Sequence, residues 1–242
     1  MANGYSRSPR LLKGALVELS QPFLGPVPNA IAFQYNPETL TRKLSPWKAP
    51  GTVDEDEDEK VAASAATAAP SNAQPYDPAE SFTLSLVLDA SDAMEEPDLH
   101  PVGARVGVAE RIAALEMLLY PLGDSLLGDA FAKLGGDAEV VPRGSVPVVL
   151  FVWGPGRVLP VRLTSFNVEE QAFNPDLYPI RAVVKVGLRV LTSDSFQAPD
   201  KELGPAEKLA ISAYDYTRKQ KEVLARANLL NTAESAIGML PI

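Results

Sequence analysis

The alternation of apolar and polar residues predicts two half-buried strands. From Phe82 to Asp89 every second residue is a large apolar one, and from Ile180 to Leu191 apolar residues occupy one face while Arg181, Lys185 and Arg189 lie on the other. A repeat of two residues is that of a strand with one face in the core and one in water. The set predicted for the core is Phe82, Leu84, Leu86, Leu88, Ile180, Ala182, Val184, Val186, Leu188 and Val190.

Four further strands are predicted around these two. Val146 to Trp153 is a continuous apolar run, as in a strand buried on both faces. Leu12 to Leu19, Ala30 to Tyr35 and Arg157 to Gln171 also have strand patterns. Along the chain, the strands that begin at Val146, Arg157 and Ile180 follow one another, and short turns rich in Gly, Pro and Asn join them. Only antiparallel strands can be joined so tightly, so this order predicts an antiparallel meander.

Two sections change to a helical repeat. Apolar residues from Val108 to Leu122 recur at steps of three and four, which places them on one helix face, and a second short helix is predicted from Ser125 to Leu134. The C-terminal part is predicted as a helix from Pro205 to about Ala227, because proline suits a first helical turn. Its narrow apolar stripe comprises Leu209, Ala213, Tyr216 and Val223. Such a stripe fits either packing on the protein's own sheet or docking on a neighbour.

A compositionally biased segment, about Ala49 to Glu80, separates the early strands from the rest. It contains six consecutive acids, Asp54 to Glu59, followed by Lys60, so this run supplies −5 of the net charge of −9. Ala, Pro and Ser dominate the remainder, and such a composition buries too little apolar surface to offset the entropy of ordering. We predict a disordered, flexible insertion, which is either simply solvated or an acidic arm that binds a partner.

Composition argues against several classes of function. The 242 residues are 46% hydrophobic and 22% charged, as in ordinary globular proteins. Cys is absent and His occurs once, so no thiolate nucleophile, disulfide or multi-His metal site is expected. The net charge of −9 argues against nucleic acid as a partner. No apolar run has the length of a membrane span or the pattern of a signal peptide, which predicts assembly in the cytoplasm.

The residues best suited to catalysis do not form a recognisable site. His100 lies next to Pro101 in a predicted loop, without a nucleophile motif. Glu169 and Glu170 are neighbours on a predicted strand, so they point to opposite faces, although acid pairing across strands stays open. Gly103 to Gly107 lacks the third glycine of a dinucleotide loop, and the acidic run lacks the glycine of a calcium loop. The sequence therefore predicts no catalytic residue, no cofactor and no metal.

Five motifs occur in a fixed order along the chain. Phe33 to Leu40 is a strand followed by Asn-Pro-Glu, Phe82 to Asp89 is an alternating strand that ends in Asp, and Val146 to Gly154 ends in Phe-Val-Trp-Gly. Ser165 to Val168 and Phe173 to Ala182 follow as parts of a hairpin. Together these motifs resemble the tube-protein family of contractile injection systems, the phage-tail-like particles of bacteria. The motif residues that we take as assembly candidates are Phe33, Tyr35, Asn36, Pro37, Glu38, Trp153, Gly154, Phe173, Asn174 and Pro175.

The resemblance implies a tube-like β-barrel that assembles with copies of itself in a sixfold ring. Larger family members act as a baseplate adaptor, which joins the hub and spike to the inner tube, and often carry a C-terminal LysM module. This sequence departs from them after Leu191, where a charged helix and a tail take the place of any LysM repeat. We therefore expect a tube-like domain over residues 1–195 and a helical extension over 196–242.

The resulting prediction is an α+β protein with a tube-type antiparallel β-barrel, one mid-chain helix and a C-terminal helical extension. Its predicted function is structural and non-enzymatic, as a ring subunit between baseplate and tube that leaves the cell if the particle is released. The expected partners are the hub or spike, the inner-tube protein and other baseplate or sheath components. The alternatives are an ordinary inner-tube subunit, a carboxylate-using hydrolase and a monomeric acidic binding module. The residues of the extension predicted to dock on a neighbour are Leu209, Tyr214, Tyr216 and Val223.

Overall fold

Seven strands of the described residues form one antiparallel sheet in the order β2-β1-β5-β6-β7-β4-β3. The computed structural model describes residues 12–19, 30–47, 74–121, 146–196 and 202–237, with side chains as far as residue 229. The meander predicted from the short turns is confirmed, because β5, β6 and β7 are neighbours in the sheet. The strands are β1 (Ala15–Glu18), β2 (Ala30–Ala32), β3 (Leu40–Ser45), β4 (Ala79–Asp89), β5 (Val149–Val152), β6 (Val158–Phe173) and β7 (Pro179–Val190).

One face of the sheet carries the hydrophobic core. Buried and exposed residues alternate along β4, and Val184, Val186 and Leu188 of β7 are fully enclosed. The alternation predicted for both strands is therefore confirmed. On β5, Val149, Leu150 and Phe151 are all buried, which confirms burial on both faces.

The sheet is open, with β2 at one edge and β3 at the other among the described strands. A barrel requires the first and last strands to pair. Closure within one chain is therefore not confirmed, whereas the antiparallel sheet and the helices agree with the predicted mixture of α and β structure.

The sequence pattern did not predict strand β3. Its residues do not alternate, and none of the six is fully buried. β3 pairs with β4 on one side only in the described ranges. Edge strands favour charged residues such as Arg42 and Lys43, because charge discourages unwanted pairing. The polar composition of β3 is the composition favoured at an exposed edge, and for the same reason the search for apolar alternation did not detect this strand.

The mid-chain helix predicted from Val108 to Leu122 is found, and two short helices that were not predicted precede it in the described residues. The three helices are α1 (Ser91–Glu95), α2 (Pro101–Val106) and α3 (Ala109–Glu116), and α3 continues as a 3-10 turn over Met117–Leu119. A 3-10 turn has three residues per turn, so the residue on the same face as Leu115 is Leu118, which is buried. The α-helical repeat had predicted Leu119 in that position. The helix predicted over Ser125 to Leu134 lies outside the described residues.

The C-terminal helix α4 spans Pro205–Ile237 and extends well past the predicted end at Ala227. Its first half packs across the start of β6. The Thr217 hydroxyl accepts a hydrogen bond from the N–H of Val158 (3.0 Å) and donates one to the carbonyl oxygen of the same residue (2.7 Å). Packing on the protein's own sheet, one of the two alternatives for this helix, is therefore confirmed for its first half.

Most of the predicted insertion, residues 49–73, lies outside the described ranges. The chain is described again from Gln74, and β4 begins at Ala79. The ordered strand therefore starts before Glu80, where the insertion was predicted to end.

Candidate assembly surfaces

The Asn-Pro-Glu motif ties the N-terminal segment to the sheet. The side-chain oxygen of Asn36 accepts a hydrogen bond from the N–H of Gly14 (2.8 Å), and its amide nitrogen donates to the carbonyl oxygen of Leu12 (2.7 Å). One side chain thus satisfies a backbone donor and a backbone acceptor of the segment that leads into β1. Of the other residues in this motif, Pro37 is half-buried and Tyr35 and Glu38 are exposed.

Phe33 and Trp153 bring two of the motifs into contact. Their ring centroids lie 6.4 Å apart, and Trp153 stacks on Phe151 at 6.0 Å. Gly14 lies against this cluster so closely that a Cβ would approach Phe33 to 2.7 Å and Trp153 to 2.8 Å. Gly154 follows with φ +71°, a conformation that glycine adopts without steric cost. These motif residues therefore hold the fold together before any assembly takes place.

Asn174 organises the turn between β6 and β7. Its side-chain oxygen accepts hydrogen bonds from the N–H groups of Asp176 (3.0 Å) and Tyr178 (2.8 Å), and its amide nitrogen donates to the carbonyl oxygen of Arg105 in α2 (3.0 Å). Asn side chains often stabilise tight turns in this way. The turn therefore holds an apolar tip in fixed geometry. The exposed side chains of the tip include Phe173, Pro175, Leu177 and Tyr178.

Several backbone edges of the sheet lack a strand partner within the described ranges, and the outer side of β2 is one of them. β5 pairs with β6 only as far as Val161, whereas β7 pairs with β6 as far as Phe173. The second half of β6 is therefore hydrogen-bonded to a strand on one side only. The outer side of β3 is unpaired as well. Unpaired edges of this kind are templates for pairing with another chain.

Helix α4 has one face on the sheet and one in solvent. Tyr214 belongs to the inner face, because its hydroxyl donates to Asp77 (2.9 Å) and its ring packs against the core. The other predicted docking residues are exposed, by 53% for Leu209, 45% for Tyr216 and 59% for Val223. Beyond Lys221 every side chain as far as residue 229 is exposed. This part of the helix therefore presents all of its faces to solvent.

Two acids at the start of β4 anchor the inner face of α4. Glu80 is only 5% exposed and accepts hydrogen bonds from Arg42 on β3 and from Lys221 on α4 (2.8 Å). Asp77 accepts from Tyr214 and from Arg218 (2.9 Å). Burial, reinforced by the hydrogen bond to Asp77, raises the pKa of Tyr214, so its hydroxyl stays protonated and can donate. Sequence reasoning missed both acids, because it assigned them to the flexible insertion.

The titratable groups best placed for chemistry are engaged structurally. Hydrogen bonds from Ser91, assisted by Arg181, lower the pKa of Asp89 to about 2. This carboxylate is therefore ionised at neutral pH and is poorly matched to general acid or base work there. His100 is exposed and lines the same open surface pocket as Asp89.

Glu169 and Glu170 lie on opposite faces of β6, as predicted, because they face Val183 and Ala182 of β7 in successive pairs. In the part of the chain that the structure describes, no group of three or more His, Asp or Glu residues is placed to hold a metal ion. None of the described helices is both long and apolar enough to cross a membrane.

Comparison with known proteins identifies the family. No curated protein matches the chain. The sequence profile described as contractile injection system tube protein matches residues 16–198. The match runs from β1 through β7, includes the five motifs and ends before α4. The chain is therefore a structural, tube-type subunit that belongs to the contractile injection system tube protein family.

Proposed function

We propose that this protein forms a sixfold ring between the baseplate and the inner tube of a contractile injection particle, and joins the hub or spike to the tube. The observation that carries the ring is the pair of unpaired edges, on β3 and on the second half of β6. A chain with a free edge on each side of the block β6-β7-β4-β3 can bind one copy on each side, so that both of these edges are paired in a closed ring.

The directions of the two edge strands are compatible with this contact. Each strand of the block β6-β7-β4-β3 is antiparallel to its neighbour, so β3 and β6 run in opposite directions. β3 of one copy placed against β6 of the next would continue the same antiparallel sheet. Repetition of this head-to-tail contact closes a ring when the rotation between neighbouring copies returns to the first copy, as sixfold symmetry requires. The barrel that one chain does not form would then be formed by the strands of all copies together, with the tilt and stagger that closure requires.

The two faces of the sheet have different roles in this ring. Ile112 and Leu115 of helix α3, together with Val108 immediately before it, belong to the same core as the apolar side chains of β4. The core face is therefore covered by helices and points outward. The opposite face presents polar side chains along β4 and β7, which suits a wet inner wall.

Helix α4 favours the adaptor over the alternative of an ordinary inner-tube subunit. It begins after the region that the family profile matches, and it leaves Leu209, Tyr216 and Val223 exposed. A repeated tube ring needs contacts only to identical rings above and below. An additional apolar helix face fits a different baseplate or sheath component instead. Assembly would take place in the bacterial cytoplasm, with release of the finished particle from the cell.

The hydrolase alternative has less support. The carboxylate of Asp89 is held ionised by Ser91 and Arg181, and Glu169 and Glu170 lie on opposite faces of one strand. Neither arrangement supplies a pair of acids with different pKa values facing one substrate, which acid–base hydrolysis requires. We therefore propose a non-enzymatic function.

Disulfide formation between copies tests the ring, and the sequence contains no Cys that would interfere. The variants carry Thr41→Cys on β3 together with one Cys on β6, at Ser165, Asn167 or Glu169. All four positions lie on the polar face, as the strand registers show. Disulfides form only where Cα atoms come within about 4.4–6.8 Å of each other. If β3 and β6 pair between copies, oxidation of assembled material should give a ladder of linked chains that ends at six.

The matched control joins Thr41→Cys with Lys185→Cys, because Lys185 lies on the same face of β7, a strand with partners on both sides. This control should remain monomeric on a denaturing gel. Assembled particles that give no ladder with any of the three β6 positions would refute the edge contact. Electron microscopy then counts the rings, since an adaptor occupies one ring per particle and a tube subunit occupies many.

A charge placed on the free face of α4 tests the adaptor role. Val223→Asp puts a carboxylate in the exposed stripe and should give rings that no longer join complete particles. Ala225→Asp introduces the same charge on the opposite, equally exposed side of the helix and should assemble normally. If the two variants assemble equally well, α4 does not dock through this stripe.

A further inference from the structure

Four strands place side chains at one level of the polar face, and we call this set the basic row. Lys43 on β3 lies opposite Ser81 on β4, Ser81 lies opposite Arg189 on β7, and Arg189 lies opposite Arg162 on β6. Directly opposed residues point to the same face of a sheet, with Cβ atoms about 4.5–5.5 Å apart. Three strand spacings cover about 14 Å. The basic row therefore holds three cations, those of Lys43, Arg189 and Arg162, within a short strip.

These three cations have no carboxylate partner among the described side chains. Within the described part of the chain, Glu80 pairs with Arg42 and Lys221 and Asp89 pairs with Arg181, and all three cations of the basic row are exposed. Like charges directly opposite each other on neighbouring strands destabilise a sheet, and Arg189 and Arg162 form such a pair. An anion bound along the basic row would relieve this repulsion.

The chain itself carries an anionic run that follows β3 closely in sequence. β3 ends at Ser45, just beyond Lys43, and the structure describes the chain as far as Trp47. The run of six acids begins at Asp54. The residues between Trp47 and Asp54 can span about 25 Å when extended. That reach exceeds the roughly 14 Å width of the basic row.

We propose that the acidic run Asp54–Glu59 docks on the basic row of its own chain, where its carboxylates pair with Lys43, Arg189 and Arg162. Each exposed ion pair is weak on its own. Several pairs formed within one chain add up, because a short tether keeps the effective concentration of the partner high. The contact would neutralise part of the polar face, and it would weaken with salt, because exposed charges are screened. This inference concerns the single chain and does not depend on ring formation.

Zero-length cross-linking of the whole chain with a carbodiimide tests this contact, because the reagent joins a carboxylate to an amine in direct contact. Lys43 is close to the acidic run in sequence and would be cross-linked to it for that reason alone. The reporters are therefore Arg189→Lys and Arg162→Lys. Both changes keep the charge and place an amine on a strand remote in sequence from the acidic run. The matched control is Arg105→Lys, an exposed arginine of α2 that lies outside the basic row.

Peptide mapping by mass spectrometry should find both reporter lysines linked to the acidic run roughly tenfold more often than the control lysine, as expected for a tethered contact. Salt at about 1 M should abolish this excess, because the screening length then falls to about 3 Å. Equal linkage of reporters and control, or reporters without linkage to the acidic run, would overturn the proposal.

A mixture of 15N-labelled and unlabelled chains distinguishes contacts within one chain from contacts between copies. Cross-links confined to peptides of the same isotope support docking within one chain. Links that pair a labelled with an unlabelled peptide would show that the acidic run reaches a neighbouring copy, and would overturn the assignment to its own chain.

Discussion

Replacement of Thr217 by Val should destabilise the protein by about 2–4 kcal/mol. Thr217 is 1% exposed, and its hydroxyl is bonded to both the N–H and the carbonyl oxygen of Val158, at 3.0 and 2.7 Å. Valine keeps the size and branching of the side chain but removes both bonds. A buried polar group without a partner costs about 1–3 kcal/mol. Val158 is only half-buried, so each of its two freed groups should cost toward the lower end of that range, which gives the predicted loss.

Urea unfolding measures this loss by tryptophan fluorescence, to which Trp153, packed against the core, and Trp47 both contribute. Thr217→Ser is the matched control, since it keeps the hydroxyl and loses one methyl, at a cost of about 1 kcal/mol. Hydrogen exchange gives a local readout, because the Val158 amide should exchange faster in the Val variant than in the Ser variant. Equal stability of the two variants, with equal exchange at Val158, would refute the reasoning and show that other contacts hold α4.

Three further predictions concern the body of the sheet. Gly107→Ala should lower the free energy of unfolding by at least the roughly 1–3 kcal/mol of a strained backbone position. The reason is that φ is +60° and a Cβ would meet the carbonyl oxygen of Pro179 at 2.1 Å. Gly156→Ala, with open space around it, is the neutral control, and equal unfolding midpoints of the two variants would contradict this. Trp153→Ala should lower the free energy of unfolding by about 3 kcal/mol, the lower end of the range for a buried aromatic, because the ring packs on Phe151 but is only partly buried. A near-neutral result in the same unfolding assay would mean that this contact does not stabilise the chain. The pKa of Asp89 falls from 3.8 to about 2, so its ionised form stabilises the fold above about pH 4 and this stabilisation disappears toward pH 2. Thermal unfolding from pH 2 to 6 should therefore show Asp89→Asn less stable than the natural protein at pH 6 and equal to it near pH 2. A difference in stability that stays constant with pH would refute the assignment.

The central strands could be predicted from the sequence because their burial leaves a direct record in residue type. β4 alternates between core and solvent and so do its residues, while β5 is enclosed on both faces and consists only of apolar residues. The turns were equally clear, since Gly154 adopts a positive φ without steric cost and the Asn174 side chain hydrogen-bonds the backbone of its own turn. The motif order added the family, which no single pattern of period two could have identified.

The inner face of α4 could not be predicted from hydrophobicity. The apolar stripe of Leu209, Tyr216 and Val223 is exposed. The residues that follow the first two of these, Ala210 and Thr217, are buried instead. Burial here follows close approach and hydrogen bonding, because a small alanine lets the helix near the sheet and a threonine satisfies the backbone of Val158. A pattern search that weights large apolar residues selects the opposite face. The signal that could have been used is the spacing of small residues at Ala206, Ala210, Ala213 and Thr217.

Strand closure was beyond the sequence for a different reason. Alternation reports which face of a strand is buried but not which strand lies beside it, so an open sheet and a closed barrel have the same pattern. The polar edge strand β3 shows the difficulty directly, because its Arg42 and Lys43 suit a strand that is unpaired in one copy. Whether its outer side meets water or a second copy depends on assembly, which leaves no mark in the local pattern.

The two proposed contacts of this subunit use separate elements, and this separation makes them independently testable. Ring closure would use the backbone of β3 and β6, where side-chain identity matters little, whereas docking to a different component would use the side chains of Tyr216 and Val223 on α4. α4 is held to the body by Thr217, by ion pairs to Asp77 and Glu80, and by the Tyr216 hydroxyl, which donates to the carbonyl oxygen of Pro155 (3.0 Å). Val223 takes part in none of these contacts. A charge at Val223 should therefore leave both folding and ring closure unchanged. Rings that form normally but fail to join particles would separate the two functions, while loss of the rings themselves would mean that α4 also takes part in ring closure.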